Sequence, residues 1–327
     1  MGIASTALLG VMLAGMQAGV LAAQDAAERA AAWPDPLVGL DGSHVTSAKE
    51  FEATRRGEIM RLYEENQFGK TPTGNVAMKA TVTSEDQHAL NGLAVRKQVT
   101  LTFTGNGMTR AVHVLEYLPA RASGPVPVFV GLNFDGNWTV SGDPGIDLTD
   151  EWVPDPEEDH VPVAKEMKVH FRRHATEAAR GKNASRWQVE TIVRAGFGLV
   201  TAYGGDIEPD FATGIGYGVR PLLFEKGQYI PAADEWGTIG AWAWGLSRIV
   251  DYLETDPAVN GKEIIGFGHS RFGKTMLWAG AQDKRFAMVI SNESGKGGAS
   301  LSHRGVEESI AHLNISFPHW FCANYHH

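Results

Sequence analysis

The serine at position 270 lies between a short apolar run, 264–267, and a segment, 272–278, with the composition of a helix. Glycines at 266, 268 and 273 surround it, and residues without a Cβ relieve the crowding of a sharp strand-to-helix turn. A serine in such a turn, a nucleophile elbow, presents its hydroxyl at the carboxyl edge of a parallel sheet. The next glycine comes three positions after the serine, whereas G-x-S-x-G has it two positions after. Many such stretches are ordinary turns, so the pattern leaves both a catalytic serine and a plain turn open.

Two charged residues near this turn add chemistry to it. Arg271 directly follows the serine, so its backbone N–H and its guanidinium can both stabilise negative charge that develops on a substrate oxygen. Glu293 follows a second buried-type strand, 286–290, and therefore lies at the same sheet edge, where an acid that orients a catalytic histidine can be placed. The alternative for Arg271 is a surface ion pair, the usual role of a charged residue on a helix.

Strands that alternate with helices must position these residues. Between 126 and 290 the alternation predicts βαβ units and a parallel sheet. Apolar residues at three- and four-residue spacing predict a helix over 238–253, on which Trp242 and Trp244 are expected to lie in the core rather than to stack on sugars. A helix over 47–68 and another over 186–194 are also predicted.

The N-terminal half contains three β-type runs, at 75–84, 93–104 and 108–118. The last two are joined by Gly105-Asn106-Gly107, a hairpin signal. The predicted fold class is therefore α/β. Its central sheet is expected to be mostly parallel, with antiparallel strands at the N-terminal side.

Polar loops follow other predicted strands. Asp135-Gly-Asn follows the strand that begins at Val126, and such a loop either supplies a second oxyanion N–H or forms a turn closed by Asn and Asp side chains. Asp206 follows the strand at 197–203, where a carboxylate that stabilises a turn is the preferred interpretation over a metal or substrate ligand. The acidic, proline-rich stretch 143–159 is expected to be a solvated surface loop.

Composition and charge exclude several classes of protein. A net charge of −9 argues against nucleic acid or an anionic membrane as the main partner. The only cysteine, Cys322, excludes an intrachain disulfide and a cysteine-based zinc cluster.

The apolar run 3–23 ends in small residues, which predicts a signal peptide over 1–23, with a membrane anchor as the alternative. Residues 24–327 are then predicted to form one catalytic domain of a secreted or periplasmic protein.

The sequence around the serine resembles the glucuronoyl esterases, carbohydrate esterase family 15. The resemblance is carried by Gly268-His-Ser-Arg-Phe-Gly-Lys-Thr, Arg285-Phe-Ala, Asn292-Glu-Ser-Gly and Gly297-Gly-Ala-Ser. It extends from about Gly131-Leu-Asn-Phe-Asp-Gly-Asn to Phe317-Pro-His-Trp-Phe, and such long motifs are specific for the family. Members are α/β-hydrolases that cleave esters of 4-O-methyl-glucuronate, which link glucuronoxylan to lignin. The resemblance therefore implies an α/β-hydrolase fold with three αβα layers.

The resemblance implies roles for individual residues. It makes Ser270 the nucleophile and matches Glu293 to the triad acid of many members, although some bacterial members place the acid after a later strand. Lys274 matches a residue that contacts the glucuronate, with surface ion pairing as its alternative.

The resemblance also bears on the catalytic base, because the family's histidine lies near the C-terminus. His319 matches a position that is not the base, and His269 is expected to point away from the nucleophile. The remaining histidines after Glu293 are His303, His312, His326 and His327, and none of them fits. We therefore expect the catalytic histidine beyond residue 327, in a chain whose sheet has an exposed apolar edge.

The leading hypothesis is a serine esterase, a carboxylic ester hydrolase, that acts on glucuronate esters through an acyl-enzyme. The alternatives are an acetyl xylan esterase or another carbohydrate esterase. From a different class, the alternative is a carbohydrate-binding or catalytically incompetent chain without the triad histidine. We expect no metal or other cofactor, a small-molecule or polysaccharide substrate, and a monomer that contacts neither nucleic acid nor, after signal cleavage, membrane.

Overall fold

The computed structural model describes residues 34–155, 170–302 and 308–326. The predicted signal peptide lies outside these residues, as do His303 and His327. The chain divides into two compact units between Ile59 and Met60. The extent of the predicted catalytic domain, 24–327, stays a prediction.

The described part of the chain contains nine strands, and all but the two short ones between 152 and 173 are expected from the sequence. They are β1 (Ala77–His88), β2 (Ala94–Gly105), β3 (Met108–Pro119), β4 (Val126–Asn133), β5 (Trp152–Asp155), β6 (His170–Arg173), β7 (Gly198–Tyr203), β8 (Val259–His269) and β9 (Phe286–Asn292). The longer α-helices are α1 (Arg56–Asn66), α2 (Val189–Arg194), α3 (Thr238–Leu253), α4 (Arg271–Gln282) and α5 (Ile310–Ser316). Shorter helical turns include Ala48–Glu50, the π-helical turn Phe51–Arg55, Ala184–Trp187 and Gly204–Ile207.

Ser47 begins the helical stretch that leads into α1. Its hydroxyl accepts a hydrogen bond from the backbone N–H of Glu50, and the Glu50 carboxylate accepts one from the N–H of Thr46. These bonds satisfy backbone donors that a helix start leaves without intrahelical partners. The predicted helix over 47–68 is confirmed, with a π-helical turn inside it.

The central sheet is mixed, as predicted. Its strand order is β1-β2-β3-β7-β4-β8-β9. The pairs from β1 to β7 are antiparallel, whereas β7, β4, β8 and β9 run parallel to one another. The hairpin between β2 and β3 turns at Asn106 and Gly107, both with positive φ, which suits the tight turn predicted there.

Helices cover both faces of this sheet. One apolar core packs α3 and α4 against one face, and a second core packs α2 against the other. Trp242 is fully buried and its indole N–H donates to the carbonyls of Gly204 and Glu208, while Trp244 is half-buried against the same core. The three-layer α/β-hydrolase fold and the core position of Trp242 are confirmed.

Two local predictions need correction. The helix expected over 186–194 is broken at Gln188, whose positive φ separates Ala184–Trp187 from α2. The stretch 143–159 is not simply a solvated loop, because Asp143 forms a largely buried ion pair with Arg96, and Trp152–Asp155 forms a two-stranded ribbon with β6. Residues 156–159 of that stretch lie outside the described part of the chain.

Strand β9 forms one edge of the described sheet and exposes Met288 and Ile290, as the predicted apolar edge requires. Among the described helices, none has the length and apolar composition needed to cross a membrane.

Candidate active site

Ser270 lies at a strained turn between β8 and α4. Its backbone has φ +54° and ψ −126°, a conformation that side-chain-bearing residues rarely adopt. Its N–H donates to the carbonyl of Asn292 at the end of β9 (2.9 Å), and its own carbonyl accepts from the N–H of Gly273 (2.8 Å). A Cβ at Gly268 would lie 2.0 Å from the carbonyl oxygen of Phe272, so the tight turn requires glycine there. The predicted elbow geometry is confirmed, and the half-buried serine stands at the sheet's carboxyl edge.

Arg271 begins α4 and turns inward. Its guanidinium forms an ion pair with Asp210 and lies 5.2 Å from the ring centroid of Trp320 and 5.3 Å from that of Phe134. The side chain is only 24% exposed, and burial lowers its pKa to about 10, so it stays charged at neutral pH. Its Nε is buried and has no hydrogen-bond partner among the described residues. The alternative that Arg271 forms an ordinary surface ion pair is therefore wrong.

Asp210, which no sequence motif indicates as a functional residue, is a shared acceptor beside the elbow. Its Oδ1 accepts from the ring Nε2 of His319 (2.9 Å) and from the indole N–H of Trp320 (2.7 Å). Burial lowers the pKa of His319 to about 4, so the ring is neutral at neutral pH and holds its Nε2 proton toward Asp210. This arrangement makes His319 a fixed donor rather than a base for Ser270.

Lys274 is one helical turn beyond the serine and is almost fully buried, with 1% of its side chain exposed. Its ammonium lies 3.5 Å from Glu308 and 5.5 Å from the ring centroid of Trp320. Burial lowers the pKa of this ammonium, while Glu308 opposes that shift. The alternative of a surface charge is wrong, because the side chain is enclosed beside the elbow.

Glu293 directly follows β9 and is exposed, with φ +46°. The hydrogen bond between Ser270 and Asn292 places this strand end next to the elbow, as expected from the sequence. In the part of the chain that the structure describes, no histidine hydrogen-bonds to Ser270 or to Glu293. His269 is exposed, with its ring Nδ1 3.3 Å from the side-chain amide of Asn292.

The loop after β4 is closed by a side chain. Asn133 Oδ1 accepts from the N–H of Gly136 (2.7 Å), and Asp135 accepts from the side-chain amide of Asn183 (2.7 Å). These contacts agree with the alternative in which Asn and Asp side chains close the turn. Phe134 is the loop residue that reaches α4, where its ring stacks on that of Phe272 with 4.6 Å between the ring centroids. Within the described ranges no group of three His, Cys, Asp or Glu side chains is arranged to hold a metal ion.

Asp210 and Trp320 could have been suspected from the sequence only weakly. Asp210 ends the polar run after β7, and Trp320 belongs to Phe317-Pro-His-Trp-Phe, but neither motif indicates contact with residue 271. Backbone bonds join the 319–320 segment to α3 and so fix the position of Trp320. The carbonyls of His319 and Trp320 accept from the N–H groups of Thr238 and Ile239, two of the first donors of that helix.

Comparison with known proteins gives consistent matches. Residues 229–313 match the family described as "Glucuronyl esterase, fungi". The chain is 45% identical over 293 residues to carbohydrate esterase MZ0003 from an unknown prokaryotic organism, covering 90% of this chain and 65% of that protein. It therefore spans about two thirds of the length of this relative.

Solved structures show the same relationship. The glucuronoyl esterase from Solibacter usitatus is 44% identical with a TM-score of 0.81, over 90% of this chain and 72% of that one. A promiscuous CE15 esterase from a marine bacterial metagenome is 44% identical with a TM-score of 0.78, over 90% and 71%. Similarity of this extent, together with the elbow and its charged neighbours, shows that the chain belongs to the glucuronoyl esterases of carbohydrate esterase family 15.

Proposed function

We propose that this chain carries the nucleophile and charge-stabilising groups of a serine esterase that hydrolyses esters of glucuronate or 4-O-methyl-glucuronate, as in lignin–glucuronoxylan cross-links. The observation that carries the proposal is the strained Ser270 turn, with Arg271 and Lys274 on the first helical turn behind it. Two cations enclosed beside a serine elbow suit a substrate whose acyl group is rich in oxygen. The names of the relatives, glucuronoyl esterase and carbohydrate esterase, support the same reaction.

Hydrolysis begins when Ser270 Oγ attacks the ester carbonyl and loses its proton to a base. The carbonyl oxygen becomes an oxyanion, which the backbone N–H and the guanidinium of Arg271 stabilise. The alcohol then leaves with a proton and the uronoyl group stays on the serine until water releases it. In this proposal the base is a histidine, as the family resemblance implies, and Glu293 is the candidate that orients it.

Lys274 supplies the uronate preference in this proposal. Its ammonium is almost completely removed from water, so a hydrogen bond to a sugar hydroxyl or ring oxygen replaces lost hydration. A simple acetyl ester offers no such acceptor and gains nothing from this residue. The enzyme is further proposed to act as a monomer, secreted or periplasmic, on a substrate outside the cytoplasm; the apolar run 3–23 supports export.

The test compares hydrolysis of benzyl glucuronate with that of p-nitrophenyl acetate. Because the chain spans 65% of its relative MZ0003, the assay uses this chain and a version extended to the relative's length. We expect uronate-ester cleavage in the extended protein and its loss in Ser270→Ala. Uronate turnover that survives Ser270→Ala contradicts the mechanism.

Equal efficiency on both substrates contradicts the uronate preference and favours a general carbohydrate esterase. Turnover by the 327-residue chain alone would mean that one of its own histidines is the base.

A further inference from the structure

The two cations beside the serine elbow are each paired with a carboxylate. The guanidinium of Arg271 contacts Asp210, and the ammonium of Lys274 lies 3.5 Å from Glu308. Two positive and two negative charges leave this group of four side chains without net charge. The group therefore offers hydrogen-bond donors to a substrate without offering an excess of positive charge.

Both carboxylates are held in place by uncharged donors. Asp210 is 14% exposed and accepts from the indole N–H of Trp320 and from the ring of His319, which is neutral at neutral pH. Glu308 accepts a hydrogen bond from the backbone N–H of Lys296 (3.2 Å). These three donors position the carboxylates without neutralising them, so their negative charge acts on the elbow.

The charge of Glu308 acts on both cations. Burial lowers the pKa of Lys274, and the charge and hydrogen bond of Glu308 oppose that shift. Burial also lowers the pKa of Arg271, whereas the charges of Asp135 and Glu308 raise it. A carboxylate that stabilises the charged guanidinium repels an anion bound to that guanidinium, because the same Coulomb interaction acts with the opposite sign.

Substrate and product of the proposed reaction differ by one charge at the reacting carbonyl. The ester is neutral there, whereas hydrolysis leaves a uronate carboxylate beside Arg271. Two cations without acidic partners would hold that carboxylate by charge-assisted hydrogen bonds and so keep the product in the elbow. Negative charge in the same enclosed group weakens this attraction and leaves binding of the neutral ester largely unaffected.

We propose that Asp210 and Glu308 make the elbow selective for the neutral uronate ester over the uronate anion, and thereby promote release of the product. This inference rests on the proposed function for the identity of the ligand. Asp210 also orients Arg271, so Glu308 is the residue at which charge can be tested separately. Glu308→Gln keeps an oxygen that accepts from the N–H of Lys296 and removes only the charge.

Calorimetric titration of Ser270→Ala with glucuronate and with methyl glucuronate tests the proposal, in this chain and in the extended version. Ser270→Ala removes the nucleophile, so the ester survives the titration. At pH 6 glucuronate is ionised and the ammonium of Lys274 keeps its proton after Glu308 is replaced. We expect methyl glucuronate to bind at least as tightly as glucuronate. Adding Glu308→Gln should lower the ratio of the glucuronate Kd to the methyl glucuronate Kd about tenfold.

Glu254→Gln is the matched control, because Glu254 has a similar exposure of 43% and lies 2.8 Å from Arg285 at the end of α3. It should leave the ratio of the two Kd values unchanged. Thermal unfolding reports whether Glu308→Gln is folded. If it is not, Glu308→Asn and Glu308→Asp replace it, since both side chains tolerate the positive φ of this position and differ in charge. The ratio should then fall in the asparagine variant alone.

Three outcomes overturn the proposal: tighter binding of glucuronate than of methyl glucuronate with Glu308 intact, an unchanged ratio after its charge is removed, or no binding of methyl glucuronate by either version. Failure of the proposed function has a different sign. It is the absence of benzyl glucuronate cleavage by the extended protein, which is measured without these variants.

Discussion

The carboxylate of Asp210 binds the guanidinium of Arg271, which lies 61 positions later in the chain. The same carboxylate accepts hydrogen bonds from His319 and Trp320, so three distant segments meet at one side chain. Arg271 is thereby oriented by the folded protein before any substrate arrives. Such preorganised charge is what stabilises an oxyanion without further rearrangement.

Asp210→Asn should therefore affect both stability and catalysis. It removes the charged partner of a largely buried guanidinium, which should lower the free energy of unfolding by on the order of 3 kcal/mol. In the active protein kcat/KM for benzyl glucuronate should fall about 10- to 100-fold, because Arg271 loses its fixed position. Urea unfolding and steady-state kinetics measure the two effects.

Asp251→Asn is the control for this change, since Asp251 pairs with Arg285 nearer the surface (2.7 Å). Loss of that pair should cost at most about 1 kcal/mol and leave kcat/KM unchanged. If Asp210→Asn is as stable and as active as Asp251→Asn, Asp210 does not position Arg271.

The backbone strain at Ser270 predicts an unusual order of stability among inactive variants. Glycine adopts positive φ without steric cost, whereas alanine keeps the Cβ that causes the strain. Ser270→Gly should therefore be more stable than Ser270→Ala by about 1 kcal/mol, despite the greater entropy of glycine in the unfolded chain. Thermal unfolding of the two purified variants measures the difference, and a more stable alanine variant would show that the turn is relaxed.

Lys274→Met separates substrate recognition from stability. Methionine fills most of the buried volume and removes the charge, so the melting temperature should change little or rise, since Glu308 is 36% exposed and can be hydrated. In the active protein KM for benzyl glucuronate should rise about tenfold relative to KM for p-nitrophenyl acetate. Arg248→Met, which removes a cation on α3 whose side chain is 33% exposed, is the matched control. Equal KM changes for both esters would remove Lys274 from uronate recognition.

Glu116 on β3 predicts a pH dependence of stability. Its side chain is fully buried, and desolvation, with the nearby charge of Asp256, raises its pKa from an ordinary 4.5 to about 7. A carboxyl group with a raised pKa holds its proton in the folded state, so its contribution is complete below pH 4.5 and is lost as the pH rises through 7. The loss should approach about 3 kcal/mol.

Glu116→Gln cannot ionise and should gain stability relative to the unmodified chain between pH 5 and pH 8. Urea unfolding at both pH values measures this change. Glu225→Gln, at an exposed position, is the control and should show no such gain. A difference between Glu116→Gln and the unmodified chain that is the same at pH 5 and pH 8 would mean that Glu116 is already ionised at pH 5.

Local sequence patterns were sufficient for the parts of the molecule that depend on neighbours along the chain. The helix over 238–253 and the turn at Asn106 and Gly107 follow from apolar spacing and from residues that accept positive φ. The elbow is of the same kind, because Gly268 and Ser270 lie within one turn and its crowding is a short-range effect. The break at Gln188 was missed, since no residue there carries a helix-ending signal.

Contacts between distant segments were decided only by the folded chain. The pairing of Asp210 with Arg271 and the enclosure of Lys274 beside Glu308 each join residues more than 30 positions apart. The spacing of apolar residues indicates which face of a helix or strand is buried. It does not indicate which charged side chain from elsewhere in the chain packs against that element. A lysine on a helix therefore has the same sequence signal whether it is solvated or enclosed, and burial sets its chemistry.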